Sequence, residues 1–250
     1  MSGHSKWSTI KHKKAAVDKK RAKLFSRLTK EITIAAREKG GDPDFNPRLR
    51  LAIDKAKEAN MPKDNIERAI KRGTGELEGQ ELEEAMYEAY APHGVGVIVE
   101  VVTDNRNRAV AELRHALTKN GGSMAEAGSV IWQFTRKGYV STKKEVEDED
   151  ELFLLAADAG AEDVQFDDGK AEVYTDLDSF QTVRDTMEES GYELDDATMI
   201  YEPNNPLALG HQQTVQVMKV IEELEDLDDV QNVYSALEIT DEAIATVEAA

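Results

Sequence analysis

The chain has no cysteine. Disulfides and thiolate-bound metals are therefore excluded, and a reducing compartment is compatible with the composition. Histidines are few, at 4, 12, 93, 115 and 211, and they show neither HExxH nor any paired spacing that would build a metal or catalytic couple. No Gly-x-Ser-x-Gly elbow occurs, and "GTGELEG" lacks the lysine of a phosphate-binding loop. "HGVG" precedes an apolar run, whereas a dinucleotide fingerprint follows a strand and opens a helix. No apolar run approaches the roughly 20 residues of a membrane span. The basic start has no apolar region behind it, so it is not read as a secretory signal. These absences give the first expectations: no catalytic residues, no cofactor, no metal, no membrane partner, and a cytoplasmic location.

What is present is charge, unevenly placed. The formal net charge of the 250 residues is -19. Residues 1–72 nevertheless hold 20 basic and 9 acidic groups, net +11, while residues 73–250 hold 11 and 41, net -30. The stretch "GHSKWSTIKHKKAAVDKKRAKLFSRL" at 3–28 carries nine of the cations and a single acid, Asp18. Such asymmetry points to a polyanion as partner of the basic part, with the acidic remainder repelled by it. Nucleic acid fits better than an anionic membrane, because residues 5–23 offer no apolar face to insert. Trp7, and His4 or His12, are placed to stack on bases.

Periodicity divides the chain further. Residues 1–23 hold too few apolar side chains to fold alone and are predicted to be a flexible arm. From Leu24, helical spacing of Leu28, Ile32 and Ala35 leads to a stop at Gly40-Gly41. Asn46-Pro47 opens a second helix with Leu49, Ala52, Ile53 and Ala56 inward. Pro62 opens a third, with Ile66, Ala69 and Ile70, ended by Gly73. Residues 24–77 are thus predicted to form a helical domain. From Met86 the period becomes two, and "VGVIVEVV", the helix in "TDNRNRAVAELRHALTKNGG" and a strand at "SVIWQF" follow. "AEVYTDLDSFQTVRDTMEESGYEL" repeats the scheme, with Thr103-Asp104 and Thr175-Asp176 at matching corners. The expected class is α+β: an N-terminal helical domain followed by two small ferredoxin-like α/β domains. One is inserted in the other, with residues 80–134 plus 206–240 forming the first and 135–205 the insertion.

Two further stretches could do chemistry. In "TDNRNR", Asp104 or Asn105 would cap a helix bearing Arg106 and Arg108, a possible secondary anion site at Asn105, Arg106 and Arg108. "EVEDEDE" at 145–151 lacks the spacing of a calcium loop and reads as acids favoured at a helix start.

The stretches "MSGHSKWSTIKHKKAAVDKKRAKLFSRLTKEI", "NPRLRLAIDKAKEANMPKDNIERAIKRGTG", "YEAYAPHGVGVIVEVVTDNRNR" and "VQNVY" closely resemble the YebC/PmpR family, nearly end to end. That resemblance implies a helical N-terminal domain and two α/β domains. It also implies the label of probable transcriptional regulator, with DNA binding in some members and translational activation or action on stalled ribosomes in others. The family's basic face falls on Lys6, Lys11, Lys13, Lys14, Lys19, Lys20, Arg21, Lys23 and Arg27. The expected function is a non-enzymatic, DNA-binding transcriptional regulator, the alternative partner being ribosomal RNA. A third reading is an adaptor whose acidic domains bind a basic protein. Nothing in the sequence fixes an oligomeric state.

Overall fold

The computed structural model describes residues 18–79, 81–167, 169–239 and 242–243, with side chains from residue 21. Residues 1–17 of the predicted basic arm, including Lys6, Trp7, Lys11, Lys13 and Lys14, lie outside the described residues.

Three helices come first: α1 Asp18–Lys39, α2 Pro47–Glu58 and α3 Lys63–Gly73. Helix α1 begins ahead of Leu24, where the apolar periodicity starts. Lysine and arginine are good helix formers, so the turn before Leu24 needs no apolar face. Leu24 itself is exposed, while Leu28, Ile32 and Ala35 are buried. The α1–α2 corner is held by Asn46, which is fully buried. Its Oδ1 accepts from Leu49 N at 3.1 Å, and its Nδ2 donates to the carbonyls of Ala35 and Gly40 at 2.8 and 2.9 Å. One side chain thus caps α2 and closes the end of α1. At Gly73, α3 lies against α1: a Cβ there would meet the Thr33 carbonyl oxygen and lie 2.7 Å from Ala36 Cβ.

The remaining chain forms two four-stranded antiparallel sheets. The elements in order are β1 Glu83–Tyr90, β2 Gly96–Thr103, α4 Arg106–Lys119, β3 Ser123–Met124, β4 Phe134–Thr142, α5 Glu149–Asp158, β5 Ala161–Asp167, β6 Lys170–Thr175, α6 Phe180–Glu189, β7 Leu194–Pro203, α7 His211–Glu225 and β8 Val230–Ser235. The first sheet has the order β3-β1-β2-β8, the second β5-β6-β4-β7. Among the described residues, compact packing sets residues 135–202 apart as a unit of their own.

In the first sheet, Val97, Val99 and Val101 of β2 share a core with Ala109, Leu113, Ala116 and Leu117 of α4 and with Val217, Met218, Val220, Ile221 and Leu224 of α7. Strand β8 pairs antiparallel with β2, Ile98 opposite Tyr234. The last helix and strand therefore complete the first sheet. The second unit follows the β-α-β-β-α-β order of a ferredoxin-like domain. The first sheet instead opens with a β1–β2 hairpin, registered from Glu83 opposite Thr103 to Tyr90 opposite Gly96.

"SVIWQF" is not a strand throughout. Ile131–Gln133 form a 3-10 turn, and β4 begins only at Phe134. The cause is Glu88, a buried carboxylate on β1. Its oxygens accept from the backbone N–H groups of Gly128, Val130 and Ile131 at 2.6, 2.5 and 2.8 Å. Burial would raise the Glu88 pKa, but these three bonds prevail and hold it below the usual carboxylate range.

Candidate nucleic-acid interface

Helix α1 carries the last five cations of the basic segment together with Lys30, and it uses them in different ways. Arg21 is exposed and lies 5.5 Å over the Phe25 ring, within cation–π range. Lys23 Nζ pairs with Asp226 Oδ1 at 2.9 Å. Arg27 is half-buried and donates from Nη2 to the Gln231 carbonyl. Burial lowers its pKa, opposed by Glu225, Glu31 and Asp226, and a guanidinium so placed stays charged. Lys19 and Lys20 lie on the first turns of the helix. Of the positions read as one basic face, Lys23 and Arg27 thus turn toward the α7–β8 segment, and Arg21 toward solvent.

The centre of this arrangement is Asp229, only 3% exposed. Its Oδ1 accepts from Lys30 Nζ at 2.7 Å. Its Oδ2 accepts from Arg108 Nη2 at 2.7 Å and from Thr103 Oγ1 at 2.8 Å. Its carbonyl accepts from Val102 N at 2.8 Å, and Lys30 also donates to the Asp228 carbonyl at 2.8 Å. One carboxylate thereby joins α1 to the β2–α4 corner. Burial by itself would raise the Asp229 pKa. The bonds from Lys30, Arg108 and Thr103 outweigh that and keep it below the ordinary value.

The β2–α4 corner has the capping geometry expected of it. Asn105 is the N-cap, its Oδ1 accepting from Arg108 N at 3.1 Å. The guanidiniums, however, are directed at carboxylates of the chain. Arg108 meets Asp104 at 2.8 Å as well as Asp229, and Arg106 pairs with Glu83. Bonds to Asp229 and Asp104 hold Arg108 firmly in its charged form. At the second corner Asp176 Oδ1 accepts from Ser179 N at 2.6 Å. The acids of "EVEDEDE" sit as the helix dipole favours, with Asp148 as N-cap of α5 and Glu149, Asp150 and Glu151 in its first turn.

Lys30 and Asp229 were not legible as partners. They lie 199 residues apart, and "LEDLDDV" reads as a solvated acidic run. Among the described residues no group of three or more His, Asp or Glu is placed to hold a metal ion. No helix among them is long and apolar enough to cross a membrane.

A basic, helix-borne N-terminal region on an acidic α+β body with two four-stranded antiparallel sheets defines the class. Residues 5–76 match the family described as "TACO1/YebC protein N-terminal domain", and residues 82–237 that described as "TACO1/YebC second and third domain". The chain belongs to the TACO1/YebC family. It is 54% identical over 244 residues to a "Probable transcriptional regulatory protein" of Desulfatibacillum aliphaticivorans, covering 98% of this chain and 99% of that one. A protein of the same description from Halothermothrix orenii is 53% identical over 250 residues, covering 99% of each. A crystal structure of a conserved hypothetical protein from Aquifex aeolicus superposes with a TM-score of 0.82 at 47% identity, covering 93% of this chain and 96% of that one.

Proposed function

We propose that the chain is a non-enzymatic regulator of gene expression that grips nucleic acid through its basic N-terminal segment. The observation carrying this reading is the charge partition, net +11 over residues 1–72 against -30 over residues 73–250. Phosphate contacts belong to Lys6, Lys11, Lys13, Lys14, Lys19, Lys20 and Arg21, with Trp7 as a stacking side chain. Lys23 and Arg27 serve instead to seat α1 on the body, since their polar atoms meet Asp226 and Gln231. The relatives' name, probable transcriptional regulatory protein, supports transcription as the regulated step, and the target assigned in this reading is promoter DNA.

The partition also favours a second target, ribosomal RNA, and with it translation. A strongly acidic body is repelled along the length of a duplex, while a basic arm can thread between RNA helices and order there. The domain organisation of this reading is an arm, a helical domain, and an α/β domain with residues 135–205 inserted in it. Its setting is the cytoplasm.

Crosslinking in cells, followed by sequencing of recovered DNA and RNA, tests the reading. Promoter enrichment supports transcription, ribosomal RNA enrichment supports translation, and enrichment of neither overturns both.

A further inference from the structure

The second unit carries a surface that nucleic-acid binding does not use. Helix α5 buries Leu152 and Ala156 in the core of its own unit. Its outer side should then be polar, as on an ordinary amphipathic helix. Instead Phe153 and Leu154 stand there 49% and 62% exposed, beside exposed Ala157. Phe153 and Ala157 follow the i, i+4 spacing of one stripe, and Gly160 lies two residues past the helix end. Gly160 lies against Ser179, a Cβ at Gly160 falling 2.9 Å from Ser179 Oγ. Leu177, 45% exposed, lies in the turn just before Ser179, the residue that Gly160 abuts.

The rim of this strip is of one sign. Between residues 145 and 162 there are eight acids and no lysine or arginine. Glu149, Asp150 and Glu151 answer the dipole of α5. Asp158, at its far end, does not, and exposed Asp176, which accepts from Ser179 N at the start of α6, and exposed Asp178 flank Leu177. A nucleic acid or an anionic membrane is repelled by such a rim. A second copy meeting it face to face would bring like charges together.

We propose that the Phe153–Leu154–Leu177 face is a docking surface for a basic amphipathic segment of a partner protein. Apolar side chains of the segment cover Phe153, Leu154 and Leu177, and its lysines and arginines face the acids around them, giving an apolar centre with a charged rim. The proposal goes beyond the nucleic-acid reading and stands on residues that reading leaves unused.

The test uses the full chain and a fluorescein-labelled peptide of about 18 residues, five helical turns, with leucine at helical spacing and lysine elsewhere. Anisotropy should report binding of this peptide and none of its scrambled or glutamate-for-lysine counterparts. Phe153→Ser with Leu154→Ser, and separately Leu177→Ser, should each weaken binding at least tenfold. Asp150→Asn with Asp158→Asn should flatten its salt dependence. All these positions are exposed, so thermal melts should match the parent chain, and binding to DNA and RNA should be unchanged. That separates failure here from failure of the nucleic-acid reading. Equal binding of the scrambled peptide, or parent-like binding by both apolar variants, overturns the proposal. So does a dimer in sedimentation that Phe153→Ser with Leu154→Ser dissociates, because a second copy would then be the occupant.

Discussion

Asp229 receives Lys30, Arg108 and Thr103 at once from a position almost wholly removed from water. Removing one partner of a buried charge cluster leaves the others uncompensated, so Asp229→Ala should cost about 3 kcal/mol in urea unfolding. The pH dependence has a definite sign. The folded-state pKa of Asp229 lies below its ordinary value. Its stabilising contribution is therefore fully present above the unfolded value, roughly pH 4, and is lost as pH falls through the folded one. Asp229→Asn should reduce the stability difference between neutral and acid pH relative to the parent chain. An undiminished difference would show that other carboxylates set the acid limit. Arg27 calls for a different use of mutagenesis. Arg27→Ala should lower the melting temperature, because the side chain meets Gln231 beside Glu225 and Asp226. Lys13→Ala with Lys14→Ala should weaken nucleic-acid binding with no change in melting temperature.

The α1–α2–α3 packing rests on two small features. Asn46→Ala removes an N-cap and leaves the Ala35 and Gly40 carbonyls without their donor. A loss of about 2 kcal/mol is expected, read as a shift of the denaturant midpoint. At Gly73 two effects oppose. Alanine gains up to about 1 kcal/mol of helix propensity. Its Cβ, however, runs into the Thr33 carbonyl, which is helix backbone and cannot swing aside. Overpacking costs about 1–3 kcal/mol and should win, so Gly73→Ala is expected to destabilise. Elements of this kind were legible in the sequence because their causes are local. Asn46-Pro47 announces a capped helix, and alternate valines announce β2. "SVIWQF" was misread because its cause is distant. The apolar, β-branched run suits a strand, but Glu88, 42 residues away, draws Val130 N into a turn. The same reason hid the commitment of Lys23 and Arg27: their partners lie 203 and 204 residues along the chain.

For the whole molecule, charge asymmetry was the plainest signal in the sequence, since it requires only counting. The corner Asn105–Arg108 shows the limit of such counting. Its cations were visible, whereas Asp229 and Glu83, which face them, arrive through tertiary structure. Nucleic-acid affinity should inherit the asymmetry as salt dependence. With about six phosphates engaged, it should fall roughly a thousandfold between 50 and 200 mM salt.

The most direct measurement compares the parent chain with one in which Lys6, Lys11, Lys13, Lys14, Lys19, Lys20 and Arg21 are replaced by glutamine. Binding to a labelled DNA duplex and to a ribosomal RNA fragment is titrated across that salt range. The expected result is near-complete loss of affinity for both probes and a flattened salt slope, with the thermal melt retained. Parent-like affinity and slope in the folded, neutralised chain would contradict the claim that these cations hold the phosphate backbone.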